Sequence, residues 1–173
     1  MTPPEDPRKA NIFQAGRYFA PHTMKFLVVS LCAFVFALIT GCATRQQTVL
    51  VQAAPARKIV TAAQVADEGN SPEMDEHLAS ALRNAGLSVQ GKLPAGTTRS
   101  QGVHSLVSYV DVWRWDLVMY LQSITIRLHD AATGQLLATG TWRDSPLHGF
   151  RNAQSVVQGV VNDMMAKVRG GAR

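Results

Sequence analysis

The chain has 173 residues, of which 46% are hydrophobic and 17% charged, with a formal net charge of +5 and two cysteines. That balance suits a folded domain with a modest core and excludes a disordered chain or a disulfide-dense scaffold. The basic residues are scattered and not gathered in runs, so nothing indicates a nucleic-acid partner.

Met1 to Thr23 carries Glu5, Asp6 and several prolines, the wrong chemistry for the start of a secretory leader. It reads as a disordered extension ahead of Met24, where a leader of ordinary build would begin. Phe26 to Ile39 then runs for 14 positions without a charge. As a helix that run covers only about 21 Å, short of a hydrocarbon core of roughly 30 Å. Lys25 precedes it and the small residues Thr40 and Gly41 follow it. The order positive, apolar, small is that of a cleaved leader, and a spanning helix is the weaker alternative.

The run closes on Leu38-Ile39-Thr40-Gly41-Cys42, which resembles the lipobox of bacterial lipoproteins. The resemblance implies cleavage between Gly41 and Cys42 and acylation of Cys42. With Ala43 following and not aspartate, it also implies sorting to the outer membrane of a Gram-negative envelope, facing the periplasm. Stable anchoring needs at least two membrane signals, and a diacylglycerol plus an N-acyl group meets that need. Residues 24–41 are then a signal peptide, 42–48 a tether, and 49–173 a single domain. Cys32 leaves with the leader, so the mature part has neither a disulfide nor a cysteine nucleophile or metal site. From Cys42 onward, 13 Lys and Arg against 10 Asp and Glu leave a charge of +3.

Thr48 to Gln52 is a β-branched run, a first strand ended by Pro55, and Lys58 to Thr61 could extend it. Ser71 and Pro72 open a helix, as cap and first residue, with Glu73, Asp75 and Glu76 at its positive end. Met74, Leu78, Ala81, Leu82 and Ala85 give it one apolar face, and Gly86 ends it. Leu87 to Val89 reads as a short strand and Lys92 to Gly102 as a loop. Ser105 to Asp116 is dense in β-formers with apolar groups on both faces, which predicts a central strand covered on both sides. Leu121 to His129 alternates, Asp130 to Gly134 is a turn, and Gln135 to Trp142 returns as the hairpin partner. Ala153 to Val168 keeps the helical period over four turns and stops at Gly170-Gly171. The order predicts an α+β fold, a mostly antiparallel sheet with two helices on one face, preceded by the helical signal peptide.

The densest signal is the run from Tyr109 to Leu121, with Trp113-Arg114-Trp115-Asp116 at its centre. Together with the Asp130-x-x-Thr-Gly134 turn and the Ala138-x-Gly140-x-Trp142 return, it resembles a family of small Gram-negative outer-membrane lipoproteins with a Trp-x-Trp-Asp strand motif. That family carries no assigned activity. Tyr109, Asp111, Trp113 and Trp115 fall on one face of a strand. They read either as an aromatic platform for a glycan, a lipid or a protein partner, or as core, since each ring buries roughly 150–250 Å². Asp116 reads as an acceptor for an indole or for Arg114. His77, His104, His129 and His148 lack zinc spacing, and no serine-nucleophile or phosphate-loop pattern occurs. His148 sits in the one loop of interest, Ser145 to Phe150, where Phe150 is either exposed or a helix staple. These residues imply neither a cofactor nor an enzyme. They imply an envelope domain that meets the membrane through its anchor and binds an envelope protein or glycan. A small hydrolase using His148 or Asp116, and a self-associating structural subunit, are the alternatives.

Overall fold

The computed structural model describes residues 44–52, 58–145 and 150–171. The chain divides into two units, Met1–Gly41 and Cys42–Arg173, and every described residue belongs to the second. The expectations for the extension, for the leader, for Gly41 and Cys42, and for His148 lie outside the described residues.

Among the described residues six strands and two helices follow in chain order. They are β1 (Arg45–Leu50), β2 (Thr61–Val65), α1 (Pro72–Asn84), β3 (Ser88–Leu93), β4 (Ser105–Asp116), β5 (Val118–Asp130), β6 (Leu136–Arg143) and α2 (Ala153–Gly170). They form one sheet in the order β1-β6-β5-β4-β2-β3. The α+β class is as expected, but the sheet is mixed and not mostly antiparallel. β1, β6, β5 and β4 pair antiparallel, whereas β2 lies parallel to both β3 and β4. The connection from β2 through α1 to β3 is a crossover, and a crossover joins parallel neighbours.

β2 is the strand whose importance the sequence hides. Thr-Ala-Ala-Gln-Val carries little β-branched or aromatic signal, yet Ala62 and Ala63 are wholly buried on opposite faces of the sheet. Gln64 is also buried, and its side-chain amide donates to the Asp75 carbonyl at 2.9 Å, tying β2 to α1. At the other edge the strand starts earlier than Thr48. Arg45 to Gln47, read as tether, pair with Thr141 to Arg143. An available ladder on β6 overrides the weak strand preference of Arg-Gln-Gln.

The helices end as their residues dictate. The Ser71 hydroxyl accepts from the Met74 amide with Pro72 at the first helical position. At the other end Gly86, at φ +84, lets its own amide reach the Arg83 carbonyl and the Leu87 amide reach Leu82, the double bond of a Schellman cap. In α2 the Asn152 side chain caps by accepting from the Ser155 amide.

Both helices contribute to one core with the same side of the sheet. Met74, Leu78 and Leu82 of α1 join Val157, Val160, Val161, Met164 and Met165 of α2, over Val107, Tyr109, Ile124, Ile126, Ala138 and Trp142. Gly140 lets α2 approach β6, since a methyl group there would lie 2.5 Å from both Met164 Sδ and Val160 Cγ1. On the opposite side the described residues form a small cluster of Ala63, Val65, Leu106 and Ala131, with Leu93 and Val103 against it. β4 is therefore covered on both faces only near its start. Ser105, Leu106, Val107 and Tyr109 are buried, while Val110 and Val112 are exposed.

Candidate functional site

β4 and β5 pair from Ser105 opposite Asp130 to Asp116 opposite Val118. Their neighbours stop sooner. β6 ends with Arg143 opposite Ser123, and β1 begins with Arg45 opposite Arg143. Past Val112 the hairpin is a two-stranded arm, and the ladder slips there by one residue, with Trp113 opposite Leu121. Such a bulge bends a ribbon and increases its twist. The arm turns at Leu117, alone between Asp116 and Val118, with φ +61. Its end is apolar and uncovered: Leu117 is 84% exposed, Trp115 72% and Met119 56%, with Val118 beside them. Phe150, also exposed, sets its ring edge-on to the Tyr120 ring at 5.7 Å between centroids.

The aromatic platform of the sequence reading divides. Tyr109 is core at 1% exposure, and its hydroxyl donates to Asp75 Oδ1 at 2.9 Å and to the Ser71 carbonyl at 3.2 Å. Burial first, and then Asp75, pushes that hydroxyl well above the ordinary tyrosine range. Tyr109 is thus no part of a binding surface. Trp113 packs half-buried against the core. Its indole N–H donates to Asp111 Oδ2 at 2.6 Å. Arg114 Nε donates to Gln122 Oε1 across the ladder. Trp115 alone of the four faces solvent, with Asp116 exposed next to it at the bend. Phe150 is not a helix staple, because Arg151 holds the position before the Asn152 cap.

Leu117, Val118 and Met119 were missing from the expected site. Their signal is the apolar run Leu-Val-Met-Tyr directly after Trp115-Asp116. The bend has none of the Gly, Asn or Pro that mark turns, so the sequence does not present that run as an exposed tip.

The open side of the sheet offers two shallow clefts. One, of about 320 Å³, is lined by Arg45 and Arg143 with Ser123, Thr125 and Thr141. Two arginines directly opposite each other repel, and together they favour an anion. The other, of about 140 Å³, lies at the far end among Val65, Thr97, Thr98, Ser108 and His129. Burial, and then the neighbouring Arg127, lowers the His129 pKa below its ordinary 6.5. Among the described residues no group of three or more His, Cys, Asp or Glu could hold a metal ion. No helix among them is long and apolar enough to cross a membrane.

No protein-family model and no curated protein matches the chain. Several solved structures do. A variant of PelC from Paraburkholderia phytofirmans, crystallised as a dodecamer, is 18% identical over 72% of this chain and 96% of its own, with a TM-score of 0.50. A second PelC dodecamer from that organism is 20% identical over 73% of this chain and 97% of its own, with a TM-score of 0.47. TolB from Acinetobacter baumannii is 16% identical over 71% of this chain but 32% of its own, with a TM-score of 0.44. At such identities a likeness reaches the fold and goes no further, and the fold is one that this chain shares with the PelC variant.

Proposed function

We infer that this chain is a lipid-anchored, periplasm-facing lipoprotein of the outer membrane, which binds an envelope protein or glycan and catalyses nothing. One observation carries the reading. The chain divides into compact units between Gly41 and Cys42, and the six described strands and two described helices all belong to the unit that begins at Cys42. Cleavage before Cys42 would leave the whole sheet, both helices and both caps intact, with the acylated residue three positions from an edge strand. The leader's chemistry and the lipobox resemblance agree with this. The partner's surface is the open side of the sheet, where Arg45 and Arg143 line one cleft and Thr97, Thr98, Ser108 and His129 line the other beside Val65 and Leu106.

The test is metabolic labelling with palmitate, followed by membrane fractionation. Label should enter the protein and vanish in Cys42→Ser, with the protein leaving the outer-membrane fraction. Equal labelling of both proteins, or none of either, overturns the reading. Crosslinking in intact cells should then capture an envelope component that the untagged strain lacks.

A second reading has its own observation. β1 and β3 lie at the two ends of the sheet order, and an edge strand is a ready template for another chain. The related PelC structure is a dodecamer. A self-associating subunit would show a mass of several chains by light scattering in detergent, where a solitary lipoprotein shows one.

A further inference from the structure

We propose that the apolar end of the β4–β5 arm is a second membrane contact, seated in the lipid interface beside the acylated Cys42. The proposal deepens the lipoprotein reading and rests on it for the anchor.

The register of the sheet places the two contacts together. Arg45 pairs with Arg143, Arg143 with Ser123, and Ser123 with Val112. These four residues therefore mark one end of the sheet. The chain leaves that end before Arg45, after Arg143 and beyond Val112, and the first and last of these exits bear on the membrane. Toward its N-terminus, Cys42 is three residues from Arg45, a reach of at most about 10 Å at roughly 3.3–3.6 Å per residue. Beyond Val112, the hairpin runs four more residues to Asp116, about 13 Å at roughly 3.3 Å per residue. The lengths agree to within about 3 Å by the same spacing. An acyl chain fixed at Cys42 draws this end of the sheet to the bilayer, and the arm is long enough to arrive with it.

The residues that arrive are those an interface accepts. Trp115, Leu117, Val118 and Met119 expose an apolar end, and tryptophan favours the headgroup level, where its ring is half wet and half dry. Asp116 at the bend keeps a carboxylate there, which suits shallow seating of the kind found for interfacial segments, about 5–10 Å deep. Behind the end, Arg45 and Arg143 stand side by side on the open face. At that height they meet the phosphates of the headgroups, and the anions relieve their mutual repulsion. One end of the molecule thus joins an anchor point, an apolar tip and a basic pair. A second copy of the chain or a protein partner could also cover apolar residues, but neither accounts for all three at the anchored end.

The experiment uses the protein extracted from cells in detergent and reconstituted into phosphatidylethanolamine and phosphatidylglycerol vesicles, with or without bromine on the acyl chains. Trp142 is buried and Trp113 half-buried, so Trp115 is the tryptophan a bromolipid can reach. Bromolipid should quench the emission of the native protein and leave that of Trp115→Phe unchanged. Quenching should also be lost in Leu117→Asp and Met119→Asp, while both stay with the vesicles through Cys42. Aspartate is well suited to the backbone of position 117, so that variant keeps its fold. Emission equal in brominated and ordinary lipid overturns the proposal, as does a Trp115 shielded without lipid by a crosslinked second copy. Palmitate labelling of the same preparation separates the two readings. Labelled protein without quenching sinks only the seated tip, whereas unlabelled protein sinks the anchor.

Discussion

The hydroxyl of Tyr109, in the middle of β4, donates to Asp75 Oδ1 in the first turn of α1 at 2.9 Å. Lys92 of β3 reaches the other oxygen of the same carboxylate. One side chain therefore gathers a central strand, an edge strand and a helix. Tyr109→Phe should lower the free energy of unfolding in urea by about 1.5 kcal/mol, the usual worth of a bond to a charged acceptor. Its pH signature is alkaline. Burial and Asp75 raise the hydroxyl above its ordinary 10.0 in the folded state, so the unfolded chain loses its proton first. The stability this group contributes is complete below pH 10 and falls as pH climbs past it. In Tyr109→Phe that part of the alkaline fall should be missing.

Gly140 is a second point of close approach. A methyl group there would sit 2.5 Å from Val160 Cγ1 and from Met164 Sδ. Methionine can turn aside, but valine on a helix has one favoured rotamer. Gly140→Ala should cost about 1–3 kcal/mol through overpacking, read as a lower urea midpoint at unchanged slope. Combining it with Val160→Ala should recover part of the loss, and simple additivity would show that the two do not touch.

Asp130 organises the turn between β5 and β6. Its Oδ1 accepts from the Ala132 amide, the Thr133 amide and the Thr133 hydroxyl, at 2.8 to 3.0 Å. Asp130→Ala should destabilise by about 2 kcal/mol, whereas Asp130→Asn, which keeps an acceptor oxygen, should cost less. Thermal denaturation followed by circular dichroism ranks the two.

Acid should weaken the fold through His129. Burial and Arg127 lower its pKa from 6.5 in the folded state. The unfolded chain then binds the proton first, so stability is whole above pH 6.5 and declines as pH falls below it. His129→Gln should flatten this decline in urea midpoints measured between pH 7.5 and 5.5, and a decline of the same size in both proteins would assign it elsewhere.

The sequence made the helices readable because their signals are local. Ser71, Pro72 and Gly86 bracket α1, and the valine and methionine period of α2 needs no partner to be seen. The turn at Asp130 was legible for the same reason. What stayed hidden depends on neighbours distant in the chain. β2 is a strand because its alanines fit between two faces, and Arg45 to Gln47 are a strand because β6 offers a ladder. Trp113 and Trp115 sit two residues apart on one face and look alike in sequence. Only the lengths of β1 and β6, which end level with Val112, decide that one ring meets the core and the other meets solvent. Leu117 marks a bend that turn chemistry would never nominate.

That leucine has a further consequence. A side chain with a β-carbon held at φ +61 costs roughly 1–2 kcal/mol, and glycine would make the same bend at ease. Leu117→Gly is therefore expected to raise the unfolding midpoint while loosening the grip of the arm on brominated vesicles. Opposed signs for one substitution would mean that the apex is tuned for adhesion at the expense of thermal endurance. A gain in endurance with adhesion untouched would leave the leucine as a mere accident of the bend.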